Sequence, residues 1–161
     1  MADAKLEKWL VACLMILVLC ITSAVAAMPL RTEEGFFEFA VLGPDVSASS
    51  YPYNVTVTQS VQLWIFVANR MPEAEHLMIT MKIGIQDAEG EKLALVEESE
   101  LDLRSGESRT VMFTFSLSRF GFHEAGSYRV IFELHRDTHI SSAPSWQSTG
   151  LWLQVWLNVI E

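Results

Sequence analysis

The segment LMITMKIGIQ, residues Leu77–Gln86, decides the fold class because its apolar and polar residues alternate with a period of two. One side of an extended chain here carries only large apolar residues: Leu77, Ile79, Met81, Ile83 and Ile85. Such alternation is typical of a strand with one face in a core and the other towards solvent. The segment therefore predicts a half-buried β-strand.

Other strand-like segments lie on both sides of it, and turn-forming residues such as Gly43-Pro44-Asp45 separate them. These segments are Phe36–Leu42, Tyr53–Thr58, Val61–Asn69, Lys92–Leu103 (interpreted as a pair of strands), Arg109–Leu117, Tyr128–His135 and Leu151–Val159. We expect Arg136–Thr149 to be a polar loop and find no helical pattern after Met28. Seven to nine short strands with closely spaced turns favour an all-β fold, an immunoglobulin-like antiparallel β-sandwich.

Tyr128 stands at the entrance to one of these strands, after Gly126. A tyrosine at this place forms a tyrosine corner in many immunoglobulin-like domains, with its hydroxyl bonded to backbone a few residues upstream. The alternative is an ordinary aromatic core residue, and the sequence leaves both interpretations open.

One long apolar segment, Trp9 to Met28, contains no charged residue and no proline. A helix of that length covers about 30 Å, the thickness of bilayer hydrocarbon. Lys5 and Lys8 precede it, so the positive-inside rule places the N-terminus in the cytoplasm and the rest outside. We expect a single-pass cell-membrane protein with a cytoplasmic N-terminus (1–8), a transmembrane signal anchor (9–28), a connector (29–35) and an extracellular sandwich (36–161).

A cleaved signal peptide is the alternative for the same segment. The small residues of Thr22–Ala27 include an A-x-A arrangement typical of a cleavage site. Under that interpretation the mature chain starts near Ala27 and has no anchor.

Charge and cysteine content exclude other classes. The chain has 161 residues and a formal net charge of −9, so it repels phosphate backbones, and we expect no nucleic-acid partner. Its two cysteines, Cys13 and Cys20, both lie in the apolar segment. No disulfide framework is therefore available to the exported part.

Three segments carry a resemblance to a known family: Glu38–Asp45 (EFAVLGPD), Tyr51–Val57 (YPYNVTV) and Val67–Asn69 (VAN). Over these residues the chain resembles the archaeal membrane proteins that carry the domain of unknown function numbered 1616. The chain departs from that family in its single apolar segment and at Gln59-Ser60. The resemblance implies a membrane-tethered exterior β-domain in an archaeon and supplies no activity.

Asn54-Val55-Thr56 is an acceptor sequence for N-glycosylation. In a strand Asn54 and Thr56 point to the same side, so modification requires an exposed face. On the predicted topology this segment lies in the compartment where glycans are transferred. Asn54 is therefore the candidate glycosylation site, and the sequence leaves open whether it carries a glycan.

Four aromatic residues are out of phase with the apolar positions of their strands: Trp64, Phe66, Trp152 and Trp156. If the two strands are neighbours in one sheet, these side chains form an aromatic patch on its outer face, as partner surfaces often do. The alternative is that the Arg136–Thr149 loop, with Trp146, buries this second face.

Candidate catalytic and metal-binding groups are sparse. His135 and His139 are four residues apart with Asp137 between them, but they fall at a strand end and in a loop rather than on a helix. The acidic residues Glu89, Glu91, Glu97, Glu98, Glu100 and Asp102 lack the spacing of a calcium loop. There is no nucleophile elbow and no phosphate-binding glycine loop. We expect no enzyme, no metal and no cofactor.

The sequence thus predicts a membrane-anchored exterior β-sandwich that acts as a non-catalytic binding or structural module. Its expected role is that of an accessory subunit in a membrane or cell-surface assembly, with a protein partner. The alternative is a tethered or secreted carbohydrate-binding or adhesion domain, because an exposed aromatic strip also suits sugar rings.

Overall fold

The computed structural model describes residues 35–87, 90–138 and 144–160. Over this part of the chain it contains eight β-strands and one turn of 3-10 helix, Leu117–Phe120. The strands are β1 (Phe37–Leu42), β2 (Asn54–Thr56), β3 (Val61–Asn69), β4 (Glu75–Asp87), β5 (Gly90–Leu103), β6 (Ser108–Phe115), β7 (Gly126–Asp137) and β8 (Trp146–Ile160).

The strands form two sheets. The three-stranded sheet has the order β1-β3-β6, and the five-stranded sheet has the order β2-β8-β7-β4-β5. β4–β5 and β7–β8 are antiparallel neighbours, and β4 pairs with β7. In the immunoglobulin scheme the β3–β6 pair corresponds to strands B and E, and β4, β7 and β8 correspond to C, F and G. The prediction of a two-sheet all-β fold with seven to nine strands is confirmed.

One pairing corrects the prediction of a wholly antiparallel sandwich. β2 pairs with β8 in parallel, from Asn54 opposite Asn158 to Thr56 opposite Ile160. The loop from Gly43 to Tyr53 carries the chain from the edge of one sheet to the edge of the other. Because β2 arrives from the opposite sheet and not through a hairpin, nothing requires it to run antiparallel to its neighbour.

The core fills the space between the sheets, and the period-two pattern supplies it. Leu77, Ile79, Met81 and Ile83 of β4 are fully buried. The inward side chains of β3 are Val61, Leu63, Ile65 and Val67, and all four are at most 2% exposed. Phe113 of β6 meets Phe132 of β7 edge-on at 5.2 Å between ring centroids, which joins the two sheets.

Tyr128 forms a tyrosine corner, the first of the two interpretations that its sequence position allows. Its side chain is buried at the start of β7, and its hydroxyl donates a hydrogen bond to the carbonyl oxygen of Glu124 at 2.9 Å. Phe122 packs edge-on against the ring at 5.4 Å. Burial, with a further contribution from the charge of Glu124, raises the pKa of the phenol.

Two segments are more regular than the sequence predicts. β7 runs to Asp137 and β8 starts at Trp146, with Asp137 opposite Trp146, so much of the expected Arg136–Thr149 loop is strand. Lys92–Leu103 is part of one long strand, β5. A register shift at Met81/Lys82 and another at Glu133/His135 allow these long pairings, since a bulge restores the pairing after an irregular residue.

The predicted cytoplasmic, transmembrane and connector segments (1–8, 9–28 and 29–35) lie outside the described residues, apart from Gly35 at the end of the connector. Within the described ranges no helix is long and apolar enough to cross a membrane. Gly35–Glu161 form one unit of contacting residues.

Candidate functional site

The outer face of the five-stranded sheet carries the most exposed aromatic residues of β8. Val155, Leu157 and Val159 point into the core, so Trp152, Gln154 and Trp156 project from the other side. Trp152 is 58% exposed and Trp156 is 37% exposed. We call the surface formed by Trp152, Gln154, Trp156 and the neighbouring Arg129 the tryptophan face.

Arg129 of β7 links the elements of this face. It lies opposite Trp156 in the strand register, with its guanidinium carbon 5.9 Å from the centroid of the indole. This distance suits a cation–π contact. One guanidinium nitrogen of Arg129 also donates to Oε1 of Gln154 at 3.4 Å. The face therefore combines two flat apolar surfaces, an amide between them and a cation beside Trp156.

The face continues across the sheet in cross-strand rows. One row runs from Trp156 through Arg129 and Gly84 to Leu93, and Gly84 has no side chain to fill the middle. The next runs from Gln154 through Ile131 and Lys82 to Leu95. Leu93 and Leu95 are 41% and 54% exposed on the edge strand β5. Apolar surface thus lies at both sides of the sheet.

Charged and polar groups bound the face on the Trp152 side. Glu133, opposite Trp152, accepts a hydrogen bond from Nζ of Lys82 at 2.7 Å. His135 lies 3.5 Å from the same carboxylate and 3.3 Å from the hydroxyl of Thr80. These groups satisfy one another, so the exposed indoles lie beside a paired polar network.

Trp64 and Phe66 do not join this surface. They lie on β3, in the three-stranded sheet, whereas Trp152 and Trp156 lie on β8 in the five-stranded sheet. Both are half-buried on the outer side of their own sheet, where Trp64 pairs with Leu42 and Met112. The condition for one four-residue aromatic patch is therefore not met, because the strands belong to different sheets.

The alternative in which a loop buries the tryptophans is also wrong for the described residues. Trp146 belongs to β8, and its ring packs against His76 at 5.1 Å between centroids. Trp152 and Trp156 remain exposed.

Asn54 lies at the edge of the same sheet, on the same side as the tryptophan face. In β2 Asn54 and Thr56 are exposed and Val55 between them is 1% exposed, as the glycosylation prediction requires. Nδ2 of Asn158 donates to Oδ1 of Asn54 at 2.8 Å. Asn158 is two residues from Trp156 on β8, so the acceptor asparagine is a neighbour of the tryptophan face.

The histidine pair that the sequence analysis considered and set aside, His135 and His139, falls only partly within the described residues. His139 lies outside them, and His135 bonds Thr80 as given above. Asp137 accepts the backbone N–H of Ser145 at 2.9 Å, which holds the two sides of the β7–β8 connection. Among the residues that the structure describes, no three His, Cys, Asp or Glu side chains are placed to hold a metal ion.

Sequence reasoning missed the surroundings of His76. This residue is on β4 opposite Asp102 of β5, and its Nδ1 is 2.7 Å from the Asp102 carboxylate. Its Nε2 is 3.7 Å from Glu100. Asp102 follows His76 by 26 residues in the sequence, so only the β4–β5 register brings the two side chains together.

His76 and Asp102 line an open cleft of about 970 Å³ at the end of the sandwich, beside the turn Arg104–Glu107. Within this turn the backbone N–H of Arg104 donates to the carboxylate of Glu107 at 3.0 Å. This hydrogen bond lowers the pKa of Glu107. Ser105, in the same cleft, donates to the carbonyl of Met71 at 2.8 Å. Each of these hydrogen bonds holds a turn in place, so the cleft lies at the end of strands whose connections are fixed.

The acidic side chains of the edge strand β5 are exposed to solvent. Glu97, Glu98, Glu100 and Asp102 are exposed. Charged side chains on an edge strand discourage pairing with another sheet.

Solved structures show the same fold. A β-glucosidase from Listeria innocua matches with a TM-score of 0.58 at 18% identity, over 78% of this chain and 16% of that one. A β-glucosidase from Erythrobacter marinus matches with a TM-score of 0.56 at 12% identity, over 78% and 16%. The chain therefore corresponds to a small part of each enzyme.

The CARDB domain of a Pyrococcus furiosus protein, solved in complex with di-metal ions, matches over nearly its whole length. The TM-score is 0.51 at 14% identity, over 82% of this chain and 94% of that domain. Identities this low show the fold alone, a β-sandwich that also occurs in an archaeal protein. No protein-family model and no curated protein matches the chain.

Proposed function

We propose that the sandwich is a non-catalytic binding module, held outside the cell by residues 9–28, and that it serves as an accessory subunit of a membrane or cell-surface assembly. The tryptophan face is its docking surface for a protein partner. The exposure of Trp152 and Trp156 on one side of β8 carries the proposal. The core is filled by the other side of that strand, so the fold does not need these indoles.

The composition of the face favours a protein partner. Tryptophan and arginine are the residues that most often dominate the binding energy of protein interfaces. Here Arg129 is held over Trp156, which reduces the side-chain entropy that binding would remove. Leu93 and Leu95 extend the apolar surface across the sheet. The surface extends from β8 to β5, and this breadth suits another folded protein.

The exterior placement rests on the N-terminal sequence. Lys5 and Lys8 precede the uncharged segment 9–28, and this order supports an N-terminus in the cytoplasm. The resemblance to the archaeal membrane-protein family supports the same arrangement. On this proposal the cell membrane and one protein are the partners.

A carbohydrate ligand is the second candidate. Trp152 and Trp156 are four residues apart on a strand, about 13 Å, with Gln154 between them and Arg129 beside Trp156. Two flat apolar rings with hydrogen-bonding groups between them fit a short run of sugar residues. An array of glycans probed with the soluble part of the chain separates this candidate from the first.

Serine substitutions at Trp152 and Trp156 test the main proposal. We expect both variants to keep the thermal midpoint of the parent, because the indoles lie outside the core. We also expect the chain to leave the larger assembly on native gels of detergent-solubilised host membranes. Met112→Ser, at a residue 47% exposed on the other sheet, is the matched control and should stay in the assembly. Unfolding of the tryptophan variants, or their retention in the assembly, contradicts the proposal.

A further inference from the structure

We propose that a second cleft of the sandwich binds a small apolar carboxylate and that Arg136 pairs with the carboxylate group. The cleft has a volume of about 390 Å³, and residues from the start of β1, the end of β7 and the start of β8 line it. It shares no lining residue with the cleft beside His76. The site goes beyond the proposed function, which uses the outer face of the five-stranded sheet.

Arg136 is the one charged residue among the described residues that line this cleft. Its side chain is half-buried, and within the described part of the chain its guanidinium has neither a hydrogen bond nor an ion pair. Charged side chains in folded proteins are mostly exposed or paired. Arg70, which precedes Met71 of the same lining, follows this rule and pairs with Glu38 at 2.8 Å. The unpaired guanidinium therefore marks a place for an anion.

Gln147 adds a second donor beside the guanidinium. It lies opposite Arg136 in the β7–β8 register, and both residues line the cleft. Opposite residues of antiparallel strands point to the same side, with their Cβ atoms about 5 Å apart. The amide of Gln147 forms no hydrogen bond with another described residue. The hydroxyl of Thr149, in contrast, already donates to a backbone carbonyl of β7 at 2.7 Å.

Apolar side chains form the rest of the wall. Phe37 and Leu151 pack against the core, whereas Phe36 is 58% exposed and Met71 is half-buried. The backbone on this side is closely packed, since a Cβ at Gly35 would lie 2.6 Å from Cα of Met71. The wall is therefore fixed, and it offers an apolar surface next to the two donors.

This arrangement favours a carboxylate over other anions. The planar guanidinium fork matches both oxygens of a carboxylate. Phosphate carries more charge, and here it would meet one cation in a chain of net charge −9. The volume is at the lower end of the range for small-molecule sites, about 300–1,000 Å³. The ligand class is thus a monocarboxylate with one ring or a short alkyl chain.

The test is an NMR titration of the full chain in detergent micelles with three probes: benzoate, phenylacetate and hexanoate. A titration of each probe into micelles alone is the blank. We expect saturable shifts of the amide signals of Phe37, Arg136 and Gln147. Benzamide, which has the ring without the charge, and acetate, which has the charge without the ring, should bind at least tenfold more weakly than benzoate.

Substitutions assign the charge to one residue. Arg136→Gln should weaken benzoate binding at least tenfold, and Arg136→Lys, which keeps the charge but loses the fork, should weaken it less. Arg119→Gln, at an exposed arginine that stacks on Phe120, is the matched control and should leave the affinity unchanged. Trp152→Ser should also leave it unchanged, so the cleft and the tryptophan face can fail separately.

Three results overturn the inference. The first is that none of the three carboxylates gives a saturable shift at the cleft. The second is that benzamide binds as tightly as benzoate, a comparison that uses the parent chain and does not depend on the folding of any variant. The third is that a folded Arg136→Gln chain keeps the parent affinity for benzoate.

Discussion

Tyr128 shows how one buried hydroxyl holds the turn before β7. Tyr128→Phe keeps the ring against Phe122 but leaves the Glu124 carbonyl without its donor. We expect the free energy of unfolding to fall by about 1 kcal/mol and the thermal midpoint by about 3–5 °C. Tyr53→Phe, at a tyrosine that is 66% exposed, is the control and should leave the midpoint unchanged. An equal loss in both variants contradicts a specific role for the corner.

The pH dependence of stability is a second test of the role of Tyr128. The folded state raises the pKa of Tyr128 above its ordinary value of 10.0, because burial disfavours the phenolate. The unfolded chain therefore loses this proton first, so the contribution of Tyr128 is complete below pH 10 and is lost as pH rises through the folded pKa. We expect denaturant midpoints measured from pH 8 to 11 to fall more steeply for the parent than for Tyr128→Phe. Parallel curves contradict this assignment.

The contacts of some residues could be anticipated from the sequence, and those of others could not. The place of Tyr128 before a strand is a local feature, so the sequence offered the tyrosine corner as one of two interpretations. The contact of His76 with Asp102 depends on strand register, which the β4–β5 turn and the shift at Met81/Lys82 set together. The sequence around His76 contains no local pattern that predicts this register.

At the scale of elements, the loop after Gly43 carries the chain from β1 in one sheet to β2 in the other. The N–H of Gly43 donates to the carbonyl of Ser47 at 2.8 Å, and its own carbonyl accepts the N–H of Val46 at 2.9 Å. The hydroxyl of Tyr51 then returns to the carbonyl of Val41 at 2.8 Å. This closed loop moves the chain from β1 to β2 and thereby completes the five-stranded sheet.

Gly43→Ala tests that loop. A Cβ at Gly43 would overlap the backbone carbonyl of Ser50 and lie 2.6 Å from its carbon, so the loop must open. We expect a loss of about 1–3 kcal/mol in the free energy of unfolding. We also expect faster amide exchange at Asn158, whose N–H donates to the Tyr53 carbonyl.

The control for this substitution is Gly106→Ala. Gly106 has open space around it but a φ of +76°, so only backbone strain of about 1–2 kcal/mol applies, without any change at Asn158. Unchanged exchange at Asn158 in Gly43→Ala would show that β2 does not depend on the loop.

The strands could be placed from the sequence, but their neighbours could not. The alternation from Val61 to Val67 correctly predicted that Trp64 points away from the core. Whether Trp64 shares a face with Trp152 depends on sheet membership, which long-range pairing decides. The early start of β8 at Trp146 was missed because Gln147, Ser148 and Thr149 are polar, and the strand there is held by pairing with β7.

At the scale of the whole molecule, the fold does not select a function. The same sandwich forms part of β-glucosidases and a separate CARDB domain, so the surface of this chain must carry its role. The surface that we propose for this role is the tryptophan face, with Asn54 at its border.

The anchor is a prediction about the whole chain. We expect the protein to stay in the membrane fraction after alkaline carbonate washing, because the uncharged segment 9–28 is long enough to span the bilayer. Its N-terminal peptides should include Lys5 and Lys8. Release by carbonate, or a mature N-terminus near Ala27, contradicts the anchor and supports the cleaved signal peptide.

The most direct test of the account is photo-crosslinking in native membranes from Gln154, which lies between the two tryptophans and leaves both in place. A photo-reactive benzoyl-phenylalanine replaces Gln154 in one chain and Met112, on the other sheet, in a second. The account predicts one discrete protein adduct from position 154, lost when Trp152→Ser is added, and none from position 112. Adducts from 112 alone, or an adduct from 154 that survives Trp152→Ser, contradict the claim that this face binds the partner.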